Sequence, residues 1–198
     1  MLSALAFAVF GYLLGSVSSA ILICKLLGKA DPRSTGSGNP GATNVLRSHG
    51  RGPAAATLAG DVAKGVLPVL LAKLLGMSPL VIALAGLGAF LGHLFPVFFN
   101  FRGGKGVATY IGVLFGMSLW LGGSFAAIWL ATAAITRYSS LAALVAAAVT
   151  PIVALVGGMP VSIALALAVM AVAIFWRHGE NIARLRAGTE SRIGQRKS

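Results

Sequence analysis

Three stretches of this 198-residue chain hold side chains suited to gripping an anion. The first, GSGNPGATNVLR from Gly36 to Arg47, carries Ser37, Asn39, Thr43 and Asn44 and ends on its arginine. The second, FRGGKGVAT from Phe101 to Thr109, sets Lys105 among Gly103, Gly104 and Gly106. The third, RHGENIARLRAGTE from Arg177 to Glu190, carries Arg177, His178 and Asn181. Glycines let consecutive backbone N–H groups point into one concavity that binds phosphate, and a following helix N-terminus adds partial positive charge. Lys105 would supply a full one. Glycine is also the ordinary turn residue, but a plain turn requires neither the lysine nor the arginine, whose charge-assisted hydrogen bonds suit phosphate. Neither loop has the Walker spacing of Gly, four residues, then Gly-Lys-Ser/Thr, so nucleotide hydrolysis is not indicated. Helical spacing in the third stretch puts Arg177, Asn181 and Arg184 on one stripe that can face a phosphate, with His178, Ile182 and Leu185 on the next. The competing reading is a solvated face at a membrane interface.

The elements that must position these residues are apolar helices. With 57% hydrophobic residues, 10% charged and a mean hydropathy of +0.89, the chain is too apolar for a soluble domain of its size. Uncharged runs near the bilayer-spanning length of about 20 residues recur at Leu2 to Cys24, Leu80 to Phe99, Ser140 to Gly158 and Met159 to Trp176. Ala54 to Leu75 is similar but carries Asp61, Lys64 and Lys73. Gly106 to Ile135 is one overlong helix or two short ones turning near Gly122, where Gly123 and Ser124 follow. Two helices there put every basic residue except Lys64 and Lys73 on a single side, as basic residues in short cytoplasmic loops require. The expected fold is therefore an all-α integral membrane protein of seven transmembrane helices, N-terminus outside and C-terminus cytoplasmic, with 1–198 a single multi-pass domain.

In that arrangement the three polar stretches share the cytoplasmic face, while the short outer loops around Gly76, Gly122 and Gly157 carry no comparable chemistry. The net charge of +12 suits anionic lipid headgroups, and nucleic acid is not needed to explain it. The first helix lacks a preceding positive residue and a clean cleavage pattern, which argues against a signal peptide. Gly11, Gly15 and Ser19, and Gly88 with Gly92, recur at four-residue spacing and would let helix backbones approach closely. Trp176 and Tyr138, beside Arg177 and Arg137, read as aromatic anchors.

Cys24 is the only cysteine, and the three histidines share no metal-ligand spacing, so neither a disulfide nor a metal is expected. Two further residues lie deeper: Asp61 is about 10 Å into the second helix at 1.5 Å per residue, and His93 about as far from the cytoplasmic end of the third. They form a candidate buried polar pair. An intramembrane carboxylate is costly and by default functional, yet Asp61 and Lys64 stand at i, i+3 and could simply neutralise each other.

The three stretches and the seven-helix layout resemble the bacterial membrane glycerol-3-phosphate acyltransferases that use acyl phosphate as donor. The resemblance covers nearly the whole chain, with no departure at the polar positions of the three signature motifs; only the tail after Glu190 lies outside them. It implies transfer of a fatty acyl group from acyl phosphate to the 1-hydroxyl of sn-glycerol 3-phosphate, giving lysophosphatidic acid and phosphate, an early step of phospholipid biosynthesis at the bacterial cytoplasmic membrane. It also implies no cofactor, and a soluble partner enzyme that makes the donor. Carried onto this chain, the phosphate-binding and catalytic positions of the family fall on Ser37, Arg47, Lys105, His178 and Asn181. Glu190 would hold the third stretch in shape.

The residues by themselves agree with that chemistry. There is no Gly-x-Ser-x-Gly elbow, and no histidine is followed five positions later by aspartate, since positions 54, 98 and 183 are Ala, Phe and Ala. An acyl phosphate is already activated, so positioning, charge stabilisation and a proton acceptor, either His178 or the donor phosphate, suffice. The alternative is a transporter or flippase for a small organophosphate, which should show broken helices or inverted repeats meeting at the midplane.

Overall fold

A computed structural model describes residues 1–194, all helix and connecting loop; Arg196 and Lys197, the end of the basic tail, lie outside the described residues. The chain gathers into two compact units, Met1–Met117 and Ser118–Ser198. The first contains α1 (Leu2–Gly15), α2 (Ser19–Leu26), α3 (Ala42–His49), α4 (Arg51–Leu74), α5 (Pro79–Leu94), a 3-10 turn (Val97–Phe99) and α6 (Val107–Met117). The second contains α7 (Leu119–Thr136), α8 (Ser139–Val156), α9 (Val161–Arg177) and α10 (Gly179–Arg186). Among the described residues, five helical segments are long and apolar enough to cross a membrane: Leu2–Leu26, Arg51–Leu74, Pro79–Phe99, Leu119–Thr136 and Ser139–Val156. A sixth is added if α9 and α10, bent by 60°, count as one span, and α6 is a shorter apolar helix.

Small residues set the packing of the first unit. A Cβ on Gly11 or Gly15 would collide with the backbone of Ala85 or Ala89, and one on Gly88 or Gly92 with the backbone of Ala8 or Tyr12, so α1 and α5 touch main chain to main chain. In lipid, where apolar side chains gain little by leaving their surroundings, such close van der Waals contact is what holds helices together. The Ser19 side chain packs on Gly60 of α4, and Gly112 of α6 lies on the Val62 carbonyl.

Two interruptions differ from expectation. The run expected to turn near Gly122 breaks at Ser118, whose extended backbone (φ −161°, ψ 137°) separates α6 from α7, while Gly122, Gly123 and Ser124 lie inside α7. Glycine is frequent within transmembrane helices, so a glycine pair there is a poor breaker. The first apolar run is broken between Gly15 and Ser19, with the Ser16 hydroxyl donating to the Tyr12 carbonyl at 2.8 Å and accepting from Val97 N–H at 3.3 Å. Serine hydroxyls compete with the helical ladder in this way.

Candidate active site

In the first unit, the stretch from Gly36 to Arg47 is a loop running into α3. Gly36 and Gly38 take left-handed backbone (φ 59° and 70°), the conformation glycine adopts without cost. Asn44 is buried and sewn into this loop: its Oδ1 accepts from Ser37 N–H at 2.9 Å, and its Nδ2 donates to the carbonyls of Pro32 at 2.8 Å and Thr35 at 3.0 Å. Ahead of it, Arg33 and Asp31 pair at 2.8 Å, and that hydrogen bond holds the Asp31 carboxyl below its ordinary range despite the opposing effect of partial burial. Ser37, Thr43 and Arg47 are exposed, and Asn39 is half-buried.

The second glycine stretch lies on the end of α5. Gly103, Gly104 and Gly106 are buried, and Lys105 among them is half-buried. The Gly104 amide donates to the His93 carbonyl at 3.1 Å, and Gly106, at φ 87°, offers its carbonyl to Tyr110 N–H at 2.8 Å as α6 begins. A Cβ on Gly103 would overlap the His93 and Leu94 carbonyls, and one on Gly106 the Phe90 ring. Below, Asp61 (1% exposed), Lys64 (5%) and His93 (6%) form a buried cluster. Lys64 Nζ stands 2.9 Å from Asp61 Oδ1 and donates to the Val17 carbonyl at 2.8 Å, in the break between α1 and α2. His93 Nδ1 is 3.7 Å from the same carboxylate oxygen. Removing one partner of a buried ion pair strands the other, so Asp61→Asn and Lys64→Met should each cost more stability than the double change. A coupling of about 1 to 3 kcal/mol is expected in a denaturation cycle, and additive losses would dissolve the pair.

The second unit holds the third stretch around Glu190. Its Oε1 accepts from the Ser140 hydroxyl and from Asn181 Nδ2, each at 2.7 Å, and its Oε2 accepts from Arg184 Nε at 2.7 Å. Burial pushes the Glu190 carboxyl up, but the hydrogen bonds from Ser140, Arg184 and Asn181 outweigh it and hold the group below its usual value. His178, 3% exposed, sits at the bend between α9 and α10 with Nδ1 2.8 Å from the Ile174 carbonyl. A carbonyl only accepts, so Nδ1 carries the proton, and in the neutral ring Nε2 is the acceptor. Arg177 lies over the Trp176 ring at 5.7 Å and Arg192 over Tyr138 at 5.5 Å.

Comparison with known proteins identifies the family of the chain. The sequence profile described as glycerol-3-phosphate acyltransferase matches residues 5–188. The chain belongs to the glycerol-3-phosphate acyltransferase family. It is 54% identical to the glycerol-3-phosphate acyltransferase of Thioalkalivibrio sulfidiphilus across 99% of this chain and 97% of that one. It is 56% identical to that of Halorhodospira halophila across 94% of both. Among solved structures it resembles PlsY (YgiH), an integral membrane glycerol 3-phosphate acyltransferase, in two forms. The glycerol 3-phosphate form gives a TM-score of 0.92 at 42% identity, covering 97% of this chain and 96% of that one. The lysophosphatidic acid form gives 0.90 at 41%, with the same coverage. The chain is thus an acyltransferase of lipid biosynthesis with an integral-membrane character.

Within this acyltransferase three details depart from the reading of the loops. Asn44, expected at a substrate, spends its amide on loop backbone. The Gly104 amide, expected in a phosphate nest, is committed to His93. The stripe Arg177–Asn181–Arg184 is interrupted, because the helix bends at His178 and leaves Arg177 on α9 while Asn181 and Arg184 turn onto Glu190. Arg33 and Ser140 carry structural weight that reading the motifs missed: Ser140 lies 50 residues from its partner Glu190, beyond any local pattern. Arg33 could have been found from its spacing, since an Asp two residues before an Arg in a turn is a common local pair.

Proposed function

We propose that this enzyme transfers a fatty acyl group from acyl phosphate to the 1-hydroxyl of sn-glycerol 3-phosphate, releasing 1-acyl-glycerol 3-phosphate and inorganic phosphate. The observation that carries this reading is the 42% identity, over 97% of the chain, to a membrane acyltransferase with glycerol 3-phosphate and lysophosphatidic acid forms. The hydroxyl oxygen attacks the acyl carbon, the bond from that carbon to the phosphate oxygen breaks, and phosphate leaves with the electron pair. His178 Nε2 takes the hydroxyl proton, its ring held in the accepting tautomer by the Nδ1–H bond to Ile174. Lys105 and Arg47 supply charge to substrate phosphates, with Ser37, Asn39 and Thr43 as neutral donors, and Asn181 and Arg177 serve the same purpose from the third stretch. Gly103, Gly104 and Gly106 shape the loop that carries Lys105.

The same proposal gives the chain seven membrane crossings, α6 being a short one, with the N-terminus outside and the three loops at the inner face of the bacterial cytoplasmic membrane. The basic residues support that orientation. Surrounding lipid and a soluble enzyme that makes acyl phosphate are the remaining partners.

Purified protein in detergent, given acyl phosphate and glycerol 3-phosphate, should release phosphate and lysophosphatidic acid in equal amounts. Uptake of glycerol 3-phosphate into liposomes without lipid product would instead mark a transporter. Attack is direct, because a mixed anhydride needs no covalent relay and Cys24 is fully buried. Initial-rate lines for the two substrates should therefore intersect, Cys24→Ala should stay active, and intact mass with donor alone should show no acyl-enzyme. An acylated species that passes its acyl group to glycerol 3-phosphate at the turnover rate would overturn direct attack and point to Ser37.

A further inference from the structure

Neutralising Lys64 accounts for the charge of Asp61 but not for the place of the cluster. Buried ion pairs are often no more stabilising than apolar residues of the same volume, and inside a membrane they are costlier still. Here one member of the cluster, His93, lies against the loop of Lys105. One edge of the His93 ring, Nδ1, faces Asp61 at 3.7 Å. The other edge lies against the Gly104 backbone so closely that a Cβ on Gly104 would overlap Nε2 and Cε1, and the His93 carbonyl takes the Gly104 amide at 3.1 Å. Gly104 is thus held by both the main chain and the side chain of a single residue, and the next residue is Lys105.

The base beneath His93 is itself tied down. Tyr12 of α1 donates its hydroxyl to the Phe95 carbonyl at 2.8 Å, and Lys64 ties α4 to the Val17 carbonyl at 2.8 Å. A continuous series of contacts therefore runs from Val17 through Lys64, Asp61 and His93 to Gly104.

We infer that His93, packed against Gly104, is a positioning residue that sets the height of the Gly103–Gly106 loop and so the reach of the Lys105 ammonium toward a substrate phosphate. This rests on the reading of Lys105 as a phosphate ligand. Misplacing a charged contact by about 1 Å costs on the order of a hundredfold in rate, so the contact has large leverage through Lys105.

The test uses the full chain in detergent, with kinetics, amide hydrogen exchange and thermal unfolding read side by side. His93→Ala should lower kcat/KM for glycerol 3-phosphate by about 30-fold or more and speed exchange of residues 101–109 about tenfold, while residues 80–90 of the same helix stay within about twofold. Gly104→Ala should be nearly inactive because its Cβ meets the imidazole. Adding His93→Ala opens that space and should recover at least about tenfold over Gly104→Ala alone. Unchanged exchange at 101–109, or a double variant no better than Gly104→Ala, would overturn the inference. If His93→Ala does not fold, His93→Gln is read by the same exchange criterion, and unchanged exchange there overturns it equally. Faster loop exchange in a protein whose wild type does not turn over acyl phosphate would leave the positioning role standing and sink the reading of the substrate.

Discussion

Lys105→Met is expected to lower kcat/KM at least about a hundredfold, the loss that follows from a charge-assisted contact worth about 2 to 5 kcal/mol. The backbone around Lys105 cannot make up the deficit. The Gly104 amide is already given to the His93 carbonyl, and Gly106 turns with positive φ into α6; on the proposed reading the ammonium group carries the loop's full charge. Methionine keeps the length and apolar stem of the side chain and removes only the charge, which makes it a cleaner probe than alanine. Lys105→Arg should recover part of the activity, limited because a planar guanidinium presents its charge in a different geometry from an ammonium. Steady-state rates with each substrate varied in turn check this, and near-normal activity in the methionine variant would remove Lys105 from the site.

The second large effect is expected at Glu190. Glu190→Leu strands three donors, one of them charged, at Ser140, Asn181 and Arg184, a cost of about 2 to 4 kcal/mol with Arg184 partly exposed and its contribution reduced by solvent. Because Asn181 and His178 flank the bend that this carboxylate braces, activity should fall together with thermal stability. Glu190→Gln retains one acceptor oxygen and should be milder. The pH dependence follows from the lowered pKa of the folded state: the stabilisation is fully present above the unfolded carboxyl value near 4.3 and is lost as pH falls through the folded value below it. The difference in Tm between wild type and Glu190→Gln should therefore shrink below about pH 4. A difference that stays constant down to pH 3 would show that the ionised carboxylate is not what holds the third stretch.

Much of the helical layout was readable from local pattern. Gly11 and Gly15, and Gly88 and Gly92, recur every fourth residue, so each pair falls on one helix face, and those faces are where α1 and α5 meet. Length and hydropathy located the apolar helices Leu2–Leu26, Arg51–Leu74, Pro79–Phe99 and Ser139–Val156, since a bilayer sets a minimum for a long apolar run that crosses it unaided. The break at Ser118 was not readable that way: the neighbouring Gly122 and Gly123 look like the stronger interruption, but a helix surrounded by apolar neighbours keeps its hydrogen-bond ladder through glycine. The bend at His178 was hidden likewise, because Arg177 to Arg186 reads as continuous helix by spacing.

The sequence by itself marked the residues proposed to carry chemistry here: Lys105, Arg47, Ser37 and His178 stand out because charged and polar groups are rare in so apolar a chain, and glycines stand around the first three. Only the tertiary structure decided what several of those residues do. Asn44 is a loop tie and not a free amide, Glu190 meets Ser140 from 50 residues away, and Gly104 is a glycine because the His93 imidazole occupies the space of its Cβ. Residue type and spacing record what a side chain is capable of, whereas hydrogen-bond capacity is finite, and which partner spends it depends on contacts between segments far apart in the chain.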